Sequence, residues 1–354
     1  MNRARTGLWG GRLGNHRLYP EADTNSLRSY LAAAAGAAHR QRSATEKEKM
    51  KDICFMLHES VADNQQQRGI CWQVREDAYV PIKHPQIKEP VSRNKQDGLL
   101  ESLNRLPVGA PGRIEKERNS TFRIIPGEMN RGECFFRIVR PIFEEDSIQT
   151  GQTLRYFYDQ NSLRNIQKQE EILIEILENI FRNIHPHENN FDVYGHQIRN
   201  LIILATTEVE SSLTAILQAN NIAPLSQYFT TRDYVRLKKV LRLAEFEVSL
   251  PHYPWLQSFS PFHDWNDAKP TKSLKWYDAY NKIKHNRETE FQEAKLLYSV
   301  NAIIAVHILL VSQFGNWGTY NPYFKLSKEP LWPREELYIP PEDQKEWTPV
   351  NLVL

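Results

Sequence analysis

The chain has 354 residues, 45 Lys and Arg against 43 Asp and Glu, and 40% hydrophobic residues. At roughly 100–200 residues per domain that length implies about two domains. A formal charge of +2 argues against a protein that coats polyanions over its whole surface, so a nucleic acid would have to be met by a local patch.

Residues 1–49 carry scattered Arg and an Ala-rich patch from Ala32 to Ala38, with no continuous apolar run of the signal-peptide kind. Glu21, Asp23, Glu46 and Glu48 count against a transit peptide. A disordered basic arm is expected there; a second reading starts translation at Met50. Residues 50–160 are mixed. The runs Cys71–Arg75, Thr121–Ile125 and Cys134–Arg140 are rich in β-branched and aromatic residues, and the pairs Pro126-Gly127 and Arg131-Gly132 punctuate them. Leu154–Tyr158 is a candidate last strand. Residues 84–120 are polar and interrupted by Pro and Gly, which predicts a long loop or linker. Cys54, Cys71 and Cys134 are far apart, with no Cys-x-x-Cys pair. They argue against a disulfide scaffold and a zinc knuckle, and fit a reducing compartment.

From about 161 the period becomes helical. Ile166, Ile172, Leu173, Ile176, Leu177, Ile180 and Phe181 recur at three-to-four spacing until Pro186. A second helix is predicted from about Asp192 to Ala219, a short basic one over 230–243 with Thr230 or Thr231 as N-cap, and two more over about 272–287 and 288–314. Residues 251–270, with four Pro and with Trp255, Phe259, Phe262 and Trp265, read as an ordered, aromatic-packed loop. The longest apolar stretch, Ala302 to Val311, is about half of the roughly 20 residues a bilayer span needs and contains His307, so it reads as a buried core helix. No membrane association is expected, and a cytoplasmic location is. The tail over 316–354 is Pro- and aromatic-rich, with a candidate strand at Leu337–Ile339. The expected fold class is α+β: a C-terminal all-α bundle over 161–315, a smaller irregular β-containing region over 50–160, and the tail packing on the bundle.

The densest polar constellation is Trp276-Tyr-Asp-Ala-Tyr-Asn-Lys-Ile-Lys-His-Asn-Arg287. On a helix, Asn281, Lys284, His285 and Glu288 share one face, while Trp276, Tyr280 and Ile283 turn to a more apolar side. An imidazole exchanges a proton near neutral pH. Lys284 or Arg287 offers a cation to a phosphate gaining negative charge, and the Asn281 amide can orient either. Those are the parts of metal-free RNA cleavage, in which His285 takes the 2′-hydroxyl proton. The plainer alternative is a structural His with cations that are solvated or cap the helix end.

This segment, together with Gly195-His-Gln-Ile-Arg-Asn-Leu-Ile-Ile-Leu-Ala-Thr-Thr-Glu-Val-Glu210, the aromatic loop and a final apolar helix, resembles the HEPN superfamily of bacterial toxin, defence and RNA-processing proteins. The resemblance covers about 161–315. It implies a HEPN-like helical bundle, a homodimer with a cleft between two copies of the helix, and a motif of Arg, a polar residue, three variable residues and His. Asn281 and His285 match the polar residue and the His. The Arg position holds Tyr280. Arg182-Asn-Ile-His-Pro-His187 matches the motif letter for letter, but Pro186 breaks the helix it would need.

His285, Asn281, Lys284 and Arg287 are therefore the candidate catalytic residues, and Tyr280, Glu208 and Asp278 the candidate binding residues around them. Glu208, at or near the buried stripe, needs a partner; Lys284, His285 or Arg287 is the natural one. His263-Asp264 could border the same cleft, and Arg232, Arg236, Lys238, Lys239 and Arg242 could touch phosphates or lie on a solvated face. Two functions follow: a metal-independent ribonuclease of a defence or toxin system, or a non-catalytic module holding RNA, a nucleotide or a protein, with Tyr280 as the mark of lost chemistry. A third is an assembly role in which residues 50–160 do the recognition. No cofactor or metal is expected. A phosphate-cradling Gly-rich loop, a Gly-x-Ser-x-Gly turn and a His-Glu-x-x-His helix are all missing from the sequence.

Overall fold

A computed structural model describes residues 53–59, 69–82, 89–93, 98–106, 121–143, 160–286, 288–316, 319–342 and 346–354. The expected arm, the start at Met50, the candidate strand Leu154–Tyr158 and Arg287 lie outside these residues.

A five-stranded sheet comes first. It contains β1 (Ile53–Glu59), β2 (Gly69–Val74), β3 (Ala78–Pro81) and β4 (Val91–Ser92); a short helix, α1 (Leu99–Asn104), then precedes β5 (Thr121–Pro126). The strand order is β4-β3-β2-β1-β5, antiparallel throughout. Alternation along β1 feeds both faces of the sheet. Ile53 and Phe55 pack with Cys71, Ile82, Phe143, Leu337 and Ile339 on one face. Cys54 joins Trp72, Tyr79, Val91, Leu99 and Leu103 on the other. Gly127, just after β5, is required by close approach: a Cβ there would stand 2.9 Å from Ile53 Cγ2. Burial pushes the Cys54 and Cys134 thiols up to about 12.

β6 (Glu133–Phe135) is shorter than the expected run to Arg140, because Arg137 takes a left-handed φ of 52° and turns the chain. The helical part then follows: α2 (Gln160–Phe181), α3 (His196–Ala219), the single turns α4 (Thr231–Tyr234) and α5 (Leu237–Val240), β7 (Glu247–Ser249), α6 (Lys275–His285) and α7 (Leu296–Phe314). The chain closes with β8 (Lys325–Lys328) and β9 (Thr348–Val350). The result is a mixed α+β protein. α7 runs through the helical core and packs on α2, α3 and α6. α3 and α7 are both long and apolar enough to cross a membrane, and 83% of the α7 window is buried inside the protein.

Several expected boundaries move. The basic helix over 230–243 breaks because the Lys238 N–H bonds Val235 O three residues back and Arg242 adopts φ 50°. Its N-cap is Thr230, whose N–H donates to Asp233 Oδ2 at 2.8 Å. Asp192 precedes α3 and pairs with Lys295 at 2.8 Å. α6 stops at His285, and a 3-10 turn at Phe291–Glu293 separates it from α7. Leu337–Ile339 makes a single bridge, Tyr338 to Ile142, ahead of Pro340 and Pro341. The expected linker over 84–120 contains α1.

The tail stitches the protein together. β9 pairs with β6 in parallel and β8 with β7 antiparallel. Glu336 takes Arg242 Nε at 3.1 Å and Nη2 at 3.0 Å, a bidentate pair. Trp332 lies under both Arg140 and Arg242, at 5.5 and 5.2 Å. Residues 51–354 accordingly form one compact unit.

Inside the helical core a buried imidazole meets a buried carboxyl group. His307 Nδ1 on α7 meets Glu170 Oε1 on α2 at 2.8 Å, and the two side chains are 4% and 2% exposed. Asn321 Nδ2 donates to the other Glu170 oxygen at 2.8 Å. Both carboxylate oxygens are therefore satisfied, as a buried charge requires.

Candidate functional site

α6 lies against α3 and α7. Trp276, Tyr277, Ala279, Tyr280 and Ile283 form its buried stripe. Trp276 is anchored by its indole N–H, which donates to Pro261 O at 2.9 Å in the aromatic loop. The same loop is closed by Trp265 Nε1 on Pro270 O at 2.8 Å, which makes it ordered, as its sequence suggests.

The stripe delivers two phenols to one carboxylate. Tyr277 OH donates to Glu210 Oε1 on α3, and Tyr280 OH to Oε2 at 3.3 Å. Lys284, one turn on, donates to Tyr280 OH at 2.8 Å, and its ammonium stands 4.9 Å from the ring centroid. Tyr277, Tyr280 and Lys284 share a stripe because they are three and seven apart on the helix. Tyr234 on α4 adds a third phenol, 2.9 Å from Thr214 Oγ1. Burial, then the Glu210 charge, drive the Tyr277 hydroxyl far above its ordinary range. Tyr234 is raised by burial and, with smaller weight, by Glu210. The hydrogen bond to Tyr280 raises Lys284 and keeps it charged. A carboxylate, phenols and an ammonium thus form one chain leading from α3 to the surface.

The candidate residues fall into separate places. Tyr280 is core, 2% exposed. Lys284 and His285 are exposed at the end of α6, where cations favour the helix dipole. Asn281 is half-buried and turns Nδ2 back to Tyr277 O at 3.2 Å. Glu288 is off the helix, so the expected four-residue face reduces to Asn281, Lys284 and His285. Asp278 pairs with Lys282 at 3.1 Å, and the same Lys282 lies 3.8 Å from Glu293.

Of the partners expected for Glu208, neither Lys284 nor His285 meets it, and Arg287 lies outside the described residues. Glu208 is half-buried and has no partner among the described residues; burial alone raises its carboxyl. The carboxylate that meets α6 is Glu210, two positions on, and with Tyr277, Tyr234 and Thr214 it belongs to a cluster the sequence reading did not assemble. His263 and Asp264 form an exposed corner, 2.9 Å apart. In the basic run, Lys238 donates to His263 O at 3.2 Å and to Trp265 O, while Arg242 is held by Glu336; Arg232 and Lys239 remain exposed.

Arg182–His187 follows the end of α2 and is not helical. Arg182 Nη1 donates to Asn179 Oδ1 at 2.9 Å, and His187 Nδ1 caps the next turn by accepting from Asn189 N. Among the described residues no group of three or more His, Cys, Asp or Glu is arranged to hold a metal. Comparison with protein-family models, with curated proteins and with solved structures finds no match to this chain.

Proposed function

We propose that the chain is a HEPN-like module of a bacterial defence or toxin-type system that holds RNA at the C-terminal end of α6 without cutting it. The observation that carries this reading is the state of Tyr280. It occupies the position where the resemblance implies an Arg on the scissile phosphate, and it is buried and tied to both Glu210 and Lys284. A phenol so placed cannot carry positive charge to a phosphate. The Lys284 ammonium is already bonded to that phenol, a geometry that presents a fixed cation to a backbone phosphate. His285 beside it is exposed and free to donate. In this reading the protein acts in the cytoplasm as a homodimer, with no metal or cofactor.

The test pairs binding with turnover. Labelled single-stranded RNA is titrated with purified protein by fluorescence anisotropy, and the same RNA is run on a denaturing gel after incubation. Saturable binding that weakens in Lys284→Ala, with the RNA intact, supports the reading. Cleavage that disappears in His285→Ala would instead establish the ribonuclease. That second reading rests on the exposed imidazole next to a charged lysine, and it also expects growth inhibition on overexpression.

A further inference from the structure

Two carboxylates in the helical half are each held by a pair of phenols, and they differ in how their charge is met. Glu210 takes Tyr277 and Tyr280 on separate oxygens, and Lys284 closes that chain. Glu178 on α2 takes both phenols on one oxygen. Tyr253 OH, from the aromatic loop, donates to Oε1 at 2.6 Å, and Tyr323 OH, from the tail, donates to the same atom at 2.5 Å. Burial, then the bond to Glu178, pushes the Tyr253 hydroxyl up to about 12 and raises Tyr323 as well, so both stay donors at neutral pH. Among the described residues Oε2 has no hydrogen-bond partner, and it reaches solvent. Arg182, one turn on along α2, turns its guanidinium to Asn179 Oδ1 at 2.9 Å instead.

The surroundings of Glu178 are aromatic and rigid. Tyr253 meets Phe181 and Trp255 in T-shaped contacts at 5.1 and 5.8 Å between centroids. Trp255 is 50% exposed, and its N–H is fixed on Pro186 O at 2.7 Å. His185 covers one face of that indole at 5.4 Å. The exposed His252 packs on Tyr323 at 5.9 Å.

Charge and geometry narrow the ligand. A half-buried carboxylate without a cation is destabilising until a positive group meets it. A guanidinium is matched to two carboxylate oxygens at once, and two donors already fill Oε1. A compact ammonium needs a single oxygen, and the faces of Trp and Tyr attract it. We infer that Glu178, with Tyr253 and Trp255, binds an alkylammonium group, carried by a free amine or by a lysine side chain. Neither Lys284 nor RNA enters this site, so it stands or falls separately from the proposed function.

Glu178→Gln keeps an acceptor oxygen for both phenols and removes the charge. Butylammonium chloride is titrated into the full chain by calorimetry, with butanol as the neutral counterpart, sodium chloride as the salt control and Nα-acetyl-lysine amide as the side-chain probe. Saturable binding of butylammonium that Glu178→Gln weakens at least about tenfold, roughly 1.4 kcal/mol, supports the site. Trp255→Leu, at the exposed rim, should weaken it about threefold, and it decides the matter if Glu178→Gln fails to fold. Tighter binding of the lysine amide than of butylammonium supports the site with a protein side chain as its ligand; the reverse order supports it with a free amine. The site is overturned if neither ammonium probe saturates at millimolar concentration, if butanol binds as well as butylammonium, or if a folded Glu178→Gln binds as tightly as the parent.

Discussion

Replacing Glu210 with Ala removes one side chain and orphans two. Tyr277 and Tyr280 are 5% and 2% exposed, so neither hydroxyl recovers a full water shell. A hydrogen bond to a charged acceptor contributes about 1.5–3 kcal/mol, and the 3.3 Å bond from Tyr280 belongs at the weak end of that range. Tyr280 still accepts from Lys284, so its loss is partial. The expected cost of Glu210→Ala is about 2–4 kcal/mol. For a folded unit of this size that is a drop of roughly 4–8 °C in melting temperature. Glu210→Gln keeps one acceptor oxygen and should lose about half as much. Lys284→Ala, at the exposed end of the chain, should shift melting by about 1 °C or less while it weakens RNA binding. Differential scanning calorimetry on the three variants, with anisotropy alongside, reads both effects. A melting temperature in Glu210→Ala within about 2 °C of the parent would mean that the phenols do not depend on this carboxylate, and the cluster as described would be wrong.

Removing one partner of the buried Glu170–His307 pair should be severe. His307→Leu leaves a buried carboxylate held only by Asn321 and should cost about 3–5 kcal/mol, whereas Glu170→Leu with His307→Leu should recover most of it in urea unfolding; a double variant as unstable as the single one would rule out coupling between them. Asp233 gives a pH signature. Burial works against its charge, yet N–H bonds from Leu225 and Thr230 outweigh burial and hold the carboxyl below its ordinary range. Its folded pKa is thus below the unfolded value near 4, so its stabilisation is present above about pH 4 and is lost as pH falls through the folded value. Asp233→Asn should flatten the acid limb of the melting curve against pH, and parallel limbs would count against those bonds. Glu208 has the opposite sign: its raised folded pKa makes the charged form a burden at neutral pH, so Glu208→Gln should leave stability unchanged or improve it by up to about 1 kcal/mol. A clear loss in Glu208→Gln would point to a partner for this carboxylate.

The helical half of the fold was legible because α2 and α3 each bury one face and leave the other wet, so spacing locates them, while α7, buried on every side from Ala302 to Phe314, stands out as the longest apolar run. The β half was harder. β1 is an interior strand of the sheet with both faces covered, and Ile53-Cys-Phe-Met-Leu57 is a continuous apolar run of the kind that periodicity cannot separate from a buried helix segment. β7, β8 and β9 are three or four residues long and exist only because the tail returns to pair with them. Nothing local marks such pairings. The buried Glu170 was also invisible: it lies among Lys168, Gln169 and Glu171 in the sequence, and only the arrival of His307 and Asn321 from over a hundred residues away makes a charge tolerable there.

The candidate site shows the same division at finer grain. Burial of Trp276, Tyr280 and Ile283 followed from helical spacing, because all three repeat on one stripe of α6. The choice between Glu208 and Glu210 did not. Glu208 lies three and seven positions after Ala205 and Leu201, which argued for burial. It also lies four after Leu204 and three before Ser211, both on the exposed side of α3. Glu210 lies four after Thr206, which is fully buried, and three and seven before Leu213 and Leu217, which are core. Counting neighbours in both directions along the helix therefore favours Glu210, and counting in one direction favours Glu208. A carboxylate on that inward row has to meet donors, and the nearest apolar-faced helix with hydroxyls at the matching interval is α6, with phenols three residues apart at Tyr277 and Tyr280. Tyr280, at the position where the proposed resemblance implies an Arg, is thus one of the two phenols that tie α6 to α3. An Arg placed at position 280 would set a guanidinium directly against Glu210, where the carboxylate would neutralise it rather than leave it for a phosphate.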